Sequence, residues 1–269
     1  KSRRKQIDFK GVALVNALLS MRLQYSKQGK MAYDNPPAPR RITKPQYEKM
    51  NLEALQCINF ATLCNQGQAK RDCDRAYTAC QQSTVISLPK EVSIDMYDVR
   101  EVCQNQVPDH CRPYADVERF LNKPEVKKSF GVDPAFDYKR YNPKVDEAIR
   151  RSPGFYADSY QTLGPLMDNN ALKLLVVTGD YGYAYPWTAS KEWLLNVKFS
   201  QQEAFKNTKD ADLKTSQTTV IGQIRFLKLP HKARIIFVRV YGAGQDVTVK
   251  RALPLLRILN FFVFDNFPV

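Results

Sequence analysis

Leu172 to Trp193 reads LKLLVVTGDYGYAYPWTASKEW, and this stretch decides the fold. The run Leu174, Leu175, Val176, Val177 is too short for a buried helix, carries β-branched residues and stops at Thr178 and Gly179, so it predicts a buried parallel strand. In an open α/β sheet the loop at the carboxyl end of a strand carries ligands and catalytic groups. Asp180 to Trp187 therefore occupies the place where an enzyme holds its chemistry. A second strand and turn follow at Ala233 to Tyr241, ARIIFVRVY, and Gly242 to Gln245, GAGQ, with an apolar-periodic helix expected from Ala252 to Phe262. Two strand ends converge.

A chain of 269 residues with 43% hydrophobic content can bury one large core or two small ones. The most apolar segment, Ala252 to Phe264, is interrupted by Arg257 and Asn260, so no membrane span is expected. The net charge of +14, from 41 basic against 27 acidic residues, favours an acidic partner or an anionic surface. Beyond the cluster at Lys1 to Lys5 the bases are dispersed, singly or in adjacent pairs such as Arg40 and Arg41, and no nucleic-acid motif is present, so sequence-specific nucleic-acid binding is not expected. The opening KSRRKQ lacks the apolar core of a signal peptide and an initiator Met, and a start after processing or truncation is expected. No cofactor is expected.

Cys57, Cys64, Cys73 and Cys80 are spaced symmetrically, and Cys103 and Cys111 form a separate close pair. The symmetry suits a helical hairpin stapled by nested bridges, though spacing alone permits other pairings. A zinc site needs close C-x-x-C or paired His ligands, and the only histidines are His110 and His231, so no metal is expected.

Together these pieces resemble the serine carboxypeptidase family of α/β-hydrolases, whose first turn carries the catalytic Asp in V-L-x-Y-x-G-D-x-D and whose second carries the catalytic His in V-x-G-A-G-H-x-V-P. Aligning Gly179, Asp180 and Trp193 puts Gly182 at the Asp position, and aligning Gly242, Ala243 and Gly244 puts Gln245 at the His position. Ile7 to Asn16, IDFKGVALVN, is similar to the family's I-N-L-K-G-x-x-I-G-N-G, with Val15 and Ala17 replacing two glycines. Met96 to Cys103, MYDVREVC, is similar to N-x-Y-D-I-R-x-x-C, and Asp116 to Phe130, DVERFLNKPEVKKSF, to Y-L-N-x-P-x-V-x-x-A-L.

The resemblance implies an α/β-hydrolase fold matched only over the family's C-terminal part. The nucleophile motif, the oxyanion segment and the N-terminal strands would precede Lys1, leaving an incomplete sheet. Residues 1–44 and 142–269 would form the core and 45–141 a helical cap. The family's cap implies the bridges Cys57 to Cys80, Cys64 to Cys73 and Cys103 to Cys111.

Gly182 has no carboxylate to orient an imidazole, and the amide of Gln245 cannot accept and return a proton. Asp180, Asp246 and His231 are the possible substitutes; His110 lies in a disulfide loop. Tyr181, Tyr183, Tyr185, Trp187 and Trp193 could form an aromatic rim or fill a vacated pocket. The expected function is that of a catalytically inactive serine carboxypeptidase-like subunit of a larger assembly. The alternatives are a hydrolase completed by a separate chain carrying the nucleophile, and a ligand-binding module. The expected partner covers the incomplete sheet, either as the N-terminal half or as another subunit, with an acidic surface favoured. Six cysteines point to an oxidising compartment. The family default is vacuolar, lysosomal or secreted, with the mitochondrial intermembrane space or an inner-membrane-associated complex as the alternative.

Overall fold

In the computed structural model, which describes residues 9–36, 38–82, 94–102, 115–169, 172–215 and 219–268, five strands form one sheet. Their spatial order is β1 (Gly11–Val15), β2 (Lys173–Gly179), β5 (Arg234–Val240), β4 (Val220–Lys228) and β3 (Ala211–Lys214). The first three run parallel, and β4 and β3 are antiparallel additions on the far side. β2 is buried from Leu174 to Gly179 because helices cover both of its faces, which explains why it reads as a continuous apolar run.

An N-terminal strand is therefore present, which corrects the expectation of a sheet lacking its N-terminal strands. β1 pairs in register with β2 from Gly11 opposite Lys173 to Val15 opposite Val177. Gly11 permits this approach, because a Cβ there would lie 2.9 Å from both the Lys173 carbonyl and the Phe262 ring. β3 falls where the sequence reads as mixed surface charge. A single side chain, Leu213, enters the core while Ala211, Asp212 and Lys214 stay exposed, as an edge strand allows.

Side chains alternate between the two faces of the sheet. Leu174, Val176, Ile235 and Phe237 pack with Trp193 and Leu194 of α8 (Trp187–Leu195), and Leu23 of α1 (Met21–Tyr33) joins the edge of this cluster. Leu175, Val177, Ile236 and Val238 pack under Leu255 and Ile258 of α10 (Val247–Phe264). α10 starts earlier than the apolar period suggests, because Asp246 accepts a hydrogen bond from the Thr248 amide at 3.2 Å and caps it. It kinks at Arg251, three residues before Pro254, whose ring nitrogen cannot donate to the preceding turn. A 3-10 turn at Ser159–Thr162 and α7 (Leu163–Asn169) lead the chain back to β2.

The insertion begins with the hairpin of α2 (Lys44–Gly67) and α3 (Lys70–Gln82). Thr43 and Gln46 form a reciprocal capping box, Pro45 sits in the first turn, and Gln68 ends α2 in the left-handed region at φ 53°. Cys57 bonds to Cys80 and Cys64 to Cys73, so the hairpin is stapled by nested bridges. With Met21, Tyr25 and Tyr156 these sulfurs form a small core of their own. The hairpin lacks large aliphatic residues at these positions, and the bridges hold it instead. Cys103 and Cys111 lie outside the described residues. Beyond the hairpin, α4 (Ala115–Leu121), α5 (Pro124–Phe130) and α6 (Pro143–Arg150) are short helices without buried side chains.

Because the Cys57 to Cys80 bridge spans 23 residues, replacing both cysteines by serine is expected to lower stability by about 3 kcal/mol, measured as the shift of the denaturant midpoint. Non-reducing peptide mapping is expected to return the 57–80 and 64–73 pairs.

Candidate functional site at the strand ends

The parallel pairing of β2 with β5 brings the turn after Gly179 against the turn after Val240. The Asp180 amide donates to the Val240 carbonyl at 3.2 Å, and the Tyr181 amide to the Ala243 carbonyl at 2.9 Å. Gly179 is required here, since a Cβ would fall 1.9 Å from the Gly244 carbonyl oxygen. Gly242 turns the second loop at φ +70°. The result sets Gly182 directly opposite Gln245: a Cβ on Gly182 would lie 3.1 Å from the Gln245 Cα. Among the described residues the buried Gln245 Oε1 has no hydrogen-bond partner.

Asp180 is buried, and one of its oxygens accepts from the Ala243 amide at 3.2 Å while the other faces the Arg239 guanidinium at 4.0 Å. Burial raises its carboxyl pKa to about 6, against the opposing pull of Arg239, the Gly242 and Ala243 amides and Arg100. Its own carbonyl accepts from the Asn35 amide nitrogen at 3.0 Å. Asp180 thus ties the two turns together. Asp246 caps α10 and points its carboxylate at Thr248. His231 belongs to the turn Pro230–Lys232, at the opposite end of β5 from Gly242, and its side chain lies outside the described residues. Seven strand residues separate the two ends by about 23 Å. His110 lies outside the described residues.

The five aromatics do not share one surface. Trp193 is fully buried under the sheet, with its ring 6.3 Å from that of Tyr160. Tyr181 and Tyr183 pack with Met31, Ile42 and Met50 in a separate cluster. Burial pushes the Tyr183 hydroxyl pKa far up. Tyr185 and Trp187 are half-buried, and the Arg239 guanidinium lies 4.0 Å from the Trp187 ring centre.

Another segment crosses the site. The Gln245 amide donates to the Tyr97 carbonyl at 2.6 Å, the Ala184 amide to the Met96 carbonyl at 2.9 Å, and the Val99 amide to the Tyr181 carbonyl at 2.9 Å. Fully buried Asp98 receives two bonds from the Arg100 guanidinium, at 2.9 and 2.6 Å. Arg100 also donates to the Gly242 carbonyl at 3.2 Å and stacks 3.8 Å over Tyr181. Main-chain groups of Met96, Tyr97 and Val99 thus engage three main-chain groups of the turns. Sequence pattern alone did not mark Asp98, Arg100 or Arg239 as residues of this site. The legible signals were an Asp and an Arg two residues apart, and one cation in the otherwise apolar run IIFVRVY.

The fold and this site define an α/β-hydrolase-like protein with a disulfide-stapled helical insertion. The serine carboxypeptidase family model matches residues 1–265, and the chain belongs to that family. The match runs over nearly the full chain and includes β1, which corrects the expectation of a C-terminal fragment. Serine carboxypeptidase-like 47 of Arabidopsis thaliana is 24% identical over 254 residues, covering 94% of this chain and 47% of that protein. Carboxypeptidase Y of Schizosaccharomyces pombe is 24% identical over 264 residues, covering 97% of this chain and 25% of its own length. The chain thus spans about half the length, or less, of these curated relatives. The crystal structure of Kex1(delta)p, a prohormone-processing carboxypeptidase from Saccharomyces cerevisiae, superposes with a TM-score of 0.71 at 16% identity, over 98% of this chain and 56% of that one.

Two outcomes follow from the buried charges. Because the Asp180 pKa is higher in the folded chain than in the unfolded one, the folded state binds more protons between about pH 4 and 6. Its contribution is full below pH 4 and falls by about 3 kcal/mol as pH rises through 6. Asp180→Asn is expected to remove that slope from denaturation midpoints measured across the range. Asp98→Asn, which unpairs Arg100, is expected to cost about 3 kcal/mol in the same assay.

Proposed function

We propose that this chain is a catalytically inactive member of the serine carboxypeptidase family that serves as a structural or interaction subunit of a larger assembly. The observation that carries the reading is the facing pair Gly182 and Gln245. These stand at the family's Asp and His positions and provide neither a carboxylate nor an imidazole. Triads act as units, and losing one member costs roughly 10⁴- to 10⁶-fold in rate. None of the nearby carboxylates compensates, since Asp180 is committed to Ala243 and Arg239, Asp98 to Arg100, and Asp246 to the start of α10.

The crossing of residues 96–99 over the strand ends supports the same reading against a ligand-binding pocket, because polar atoms already satisfied by Tyr97 and Met96 are withdrawn from any ligand. The partner would be another polypeptide with an acidic surface, since the chain carries a net charge of +14. The β1 edge, which pairs with β2 on one side, is one place for it. The two closed bridges fit an oxidising compartment, and a vacuolar or secretory setting is the one we favour.

The test is chemical. Incubation of the native protein with a fluorophosphonate probe is expected to leave no covalent adduct by intact mass, and no C-terminal residue is expected to be released from peptides between pH 4 and pH 8. Labelling, or inhibitor-sensitive release, would show a working hydrolase and end the inactive-subunit reading.

A further inference from the structure

We infer that the outward face of α10 is a docking surface for an amphipathic helix of another protein, one whose apolar stripe is flanked by carboxylates. This rests on the reading of the chain as a subunit, and it names the surface and the chemistry of what binds there. The inward side of α10 is accounted for, with Leu255 and Ile258 in the core and Phe262 against Gly11. The opposite side is not polar, as a solvated helix face would be. Leu253 is 72% exposed, Leu256 54%, Val263 66% and Phe264 72%.

Their spacing has its own content. Val249, Leu253, Leu256, Asn260 and Val263 succeed one another at intervals of four, three, four and three residues, the repeat that forms a helix-to-helix seam. The kink at Arg251 sets Val249 apart, so the continuous seam runs from Leu253 to Val263. Asn260 is its one polar member, a residue type that fixes register when it is buried in such a seam. Beside the row lies a hollow of about 490 Å³, bounded by Leu253, Leu256, Arg257, Asn260 and Thr215. A concavity of that kind accepts a side chain projected from a facing helix.

Charge selects among occupants. No acidic residue occurs between Val247 and Phe264, while Arg257 is exposed beside the seam; the Arg251 guanidinium is turned back against Gly242. Of the two carboxylates that flank the helix, Asp246 caps its first turn and Asp265 is bound to Arg234 at 3.1 Å. A second copy would set Arg257 near Arg257 in a pair of chains each carrying +14, which opposes association. A helix with glutamates or aspartates beside its apolar stripe meets both the seam and Arg257.

The full chain is titrated, by fluorescence anisotropy, with two labelled designed helices of about four heptads that share a leucine seam. One is flanked by glutamate and the other by lysine. The glutamate helix is expected to bind at least tenfold more tightly. Leu253→Ser and Leu256→Ser, at exposed positions that leave the melting temperature unchanged, are each expected to weaken it at least tenfold, and Arg257→Glu to narrow or reverse the preference. Equal binding of the two helices, or binding of neither, would overturn the proposal. So would a sedimenting homodimer that dissociates on Leu256→Ser, or attachment to phosphatidylserine vesicles lost on the same substitution. The two readings fail separately. Helix failure with a silent fluorophosphonate probe removes this surface alone, whereas probe labelling with selective helix binding removes the inactive-subunit reading alone.

Discussion

The parallel contact between β2 and β5 is the constraint on which the rest of this structure depends. Seven residue pairs run from Lys173 opposite Arg234 to Gly179 opposite Val240, and every β2 residue after Lys173 is buried. Where the pair ends, the two turns pass so closely that Gly179 cannot carry a side chain against the Gly244 carbonyl. That contact places Asp180 beside Ala243 and Gly182 beside Gln245. β1 is added on one side and β4 with β3 on the other, while α8 and α10 cover the opposite faces. A side chain at position 179 would disturb the core and the strand-end geometry together.

At those strand ends several polar groups are turned inward and bonded within the chain, while the buried Gln245 Oε1 is left without a partner among the described residues. Asp180 binds an amide and faces a guanidinium, Asp98 is paired with Arg100, and Tyr97 and Met96 accept from amides of the two turns. A buried carboxylate survives only with such partners, and those partners fix its position. Here these bonds join three separate segments, residues 94–101, 179–185 and 240–246. The geometry of a strand-end site is retained while its polar atoms hold the protein together.

The insertion is stabilised differently. The α2 and α3 hairpin has no sheet beneath it, and its interior is built from Cys57, Cys64, Cys73, Cys80 and small alanines, so two covalent links supply what aliphatic packing supplies elsewhere. α10 shows the reverse arrangement, with a well-packed inner side and an apolar outer side at heptad spacing. A monomeric surface rarely keeps such a stripe bare.

The sequence by itself determined a good deal about this protein. The run Leu174 to Val177 ending at Gly179 could only be a doubly covered strand, since no amphipathic period is present. ARIIFVRVY followed by GAGQ gave its neighbour, and the symmetric cysteines suited the nested bridges that the structure contains. That Gly182 and Gln245 sit in the two turns is likewise plain from local pattern, because each lies a few residues past the glycine that ends or follows its strand. Tertiary structure alone decided the rest. β3 is a strand because one residue, Leu213, finds a place in the core, which no local alternation announces. The pairing of β1 in register with β2 also belongs to the assembled sheet, and it corrects the expectation of a sheet lacking its N-terminal strands. The expectation of a C-terminal fragment fell separately, to a family match along nearly the whole chain. That Tyr97, Asp98 and Arg100 lie across the strand ends follows from a chain path that returns from a distant segment. Hydrogen bonds spanning more than 140 residues leave no period in the sequence, and only the assembled fold can form them.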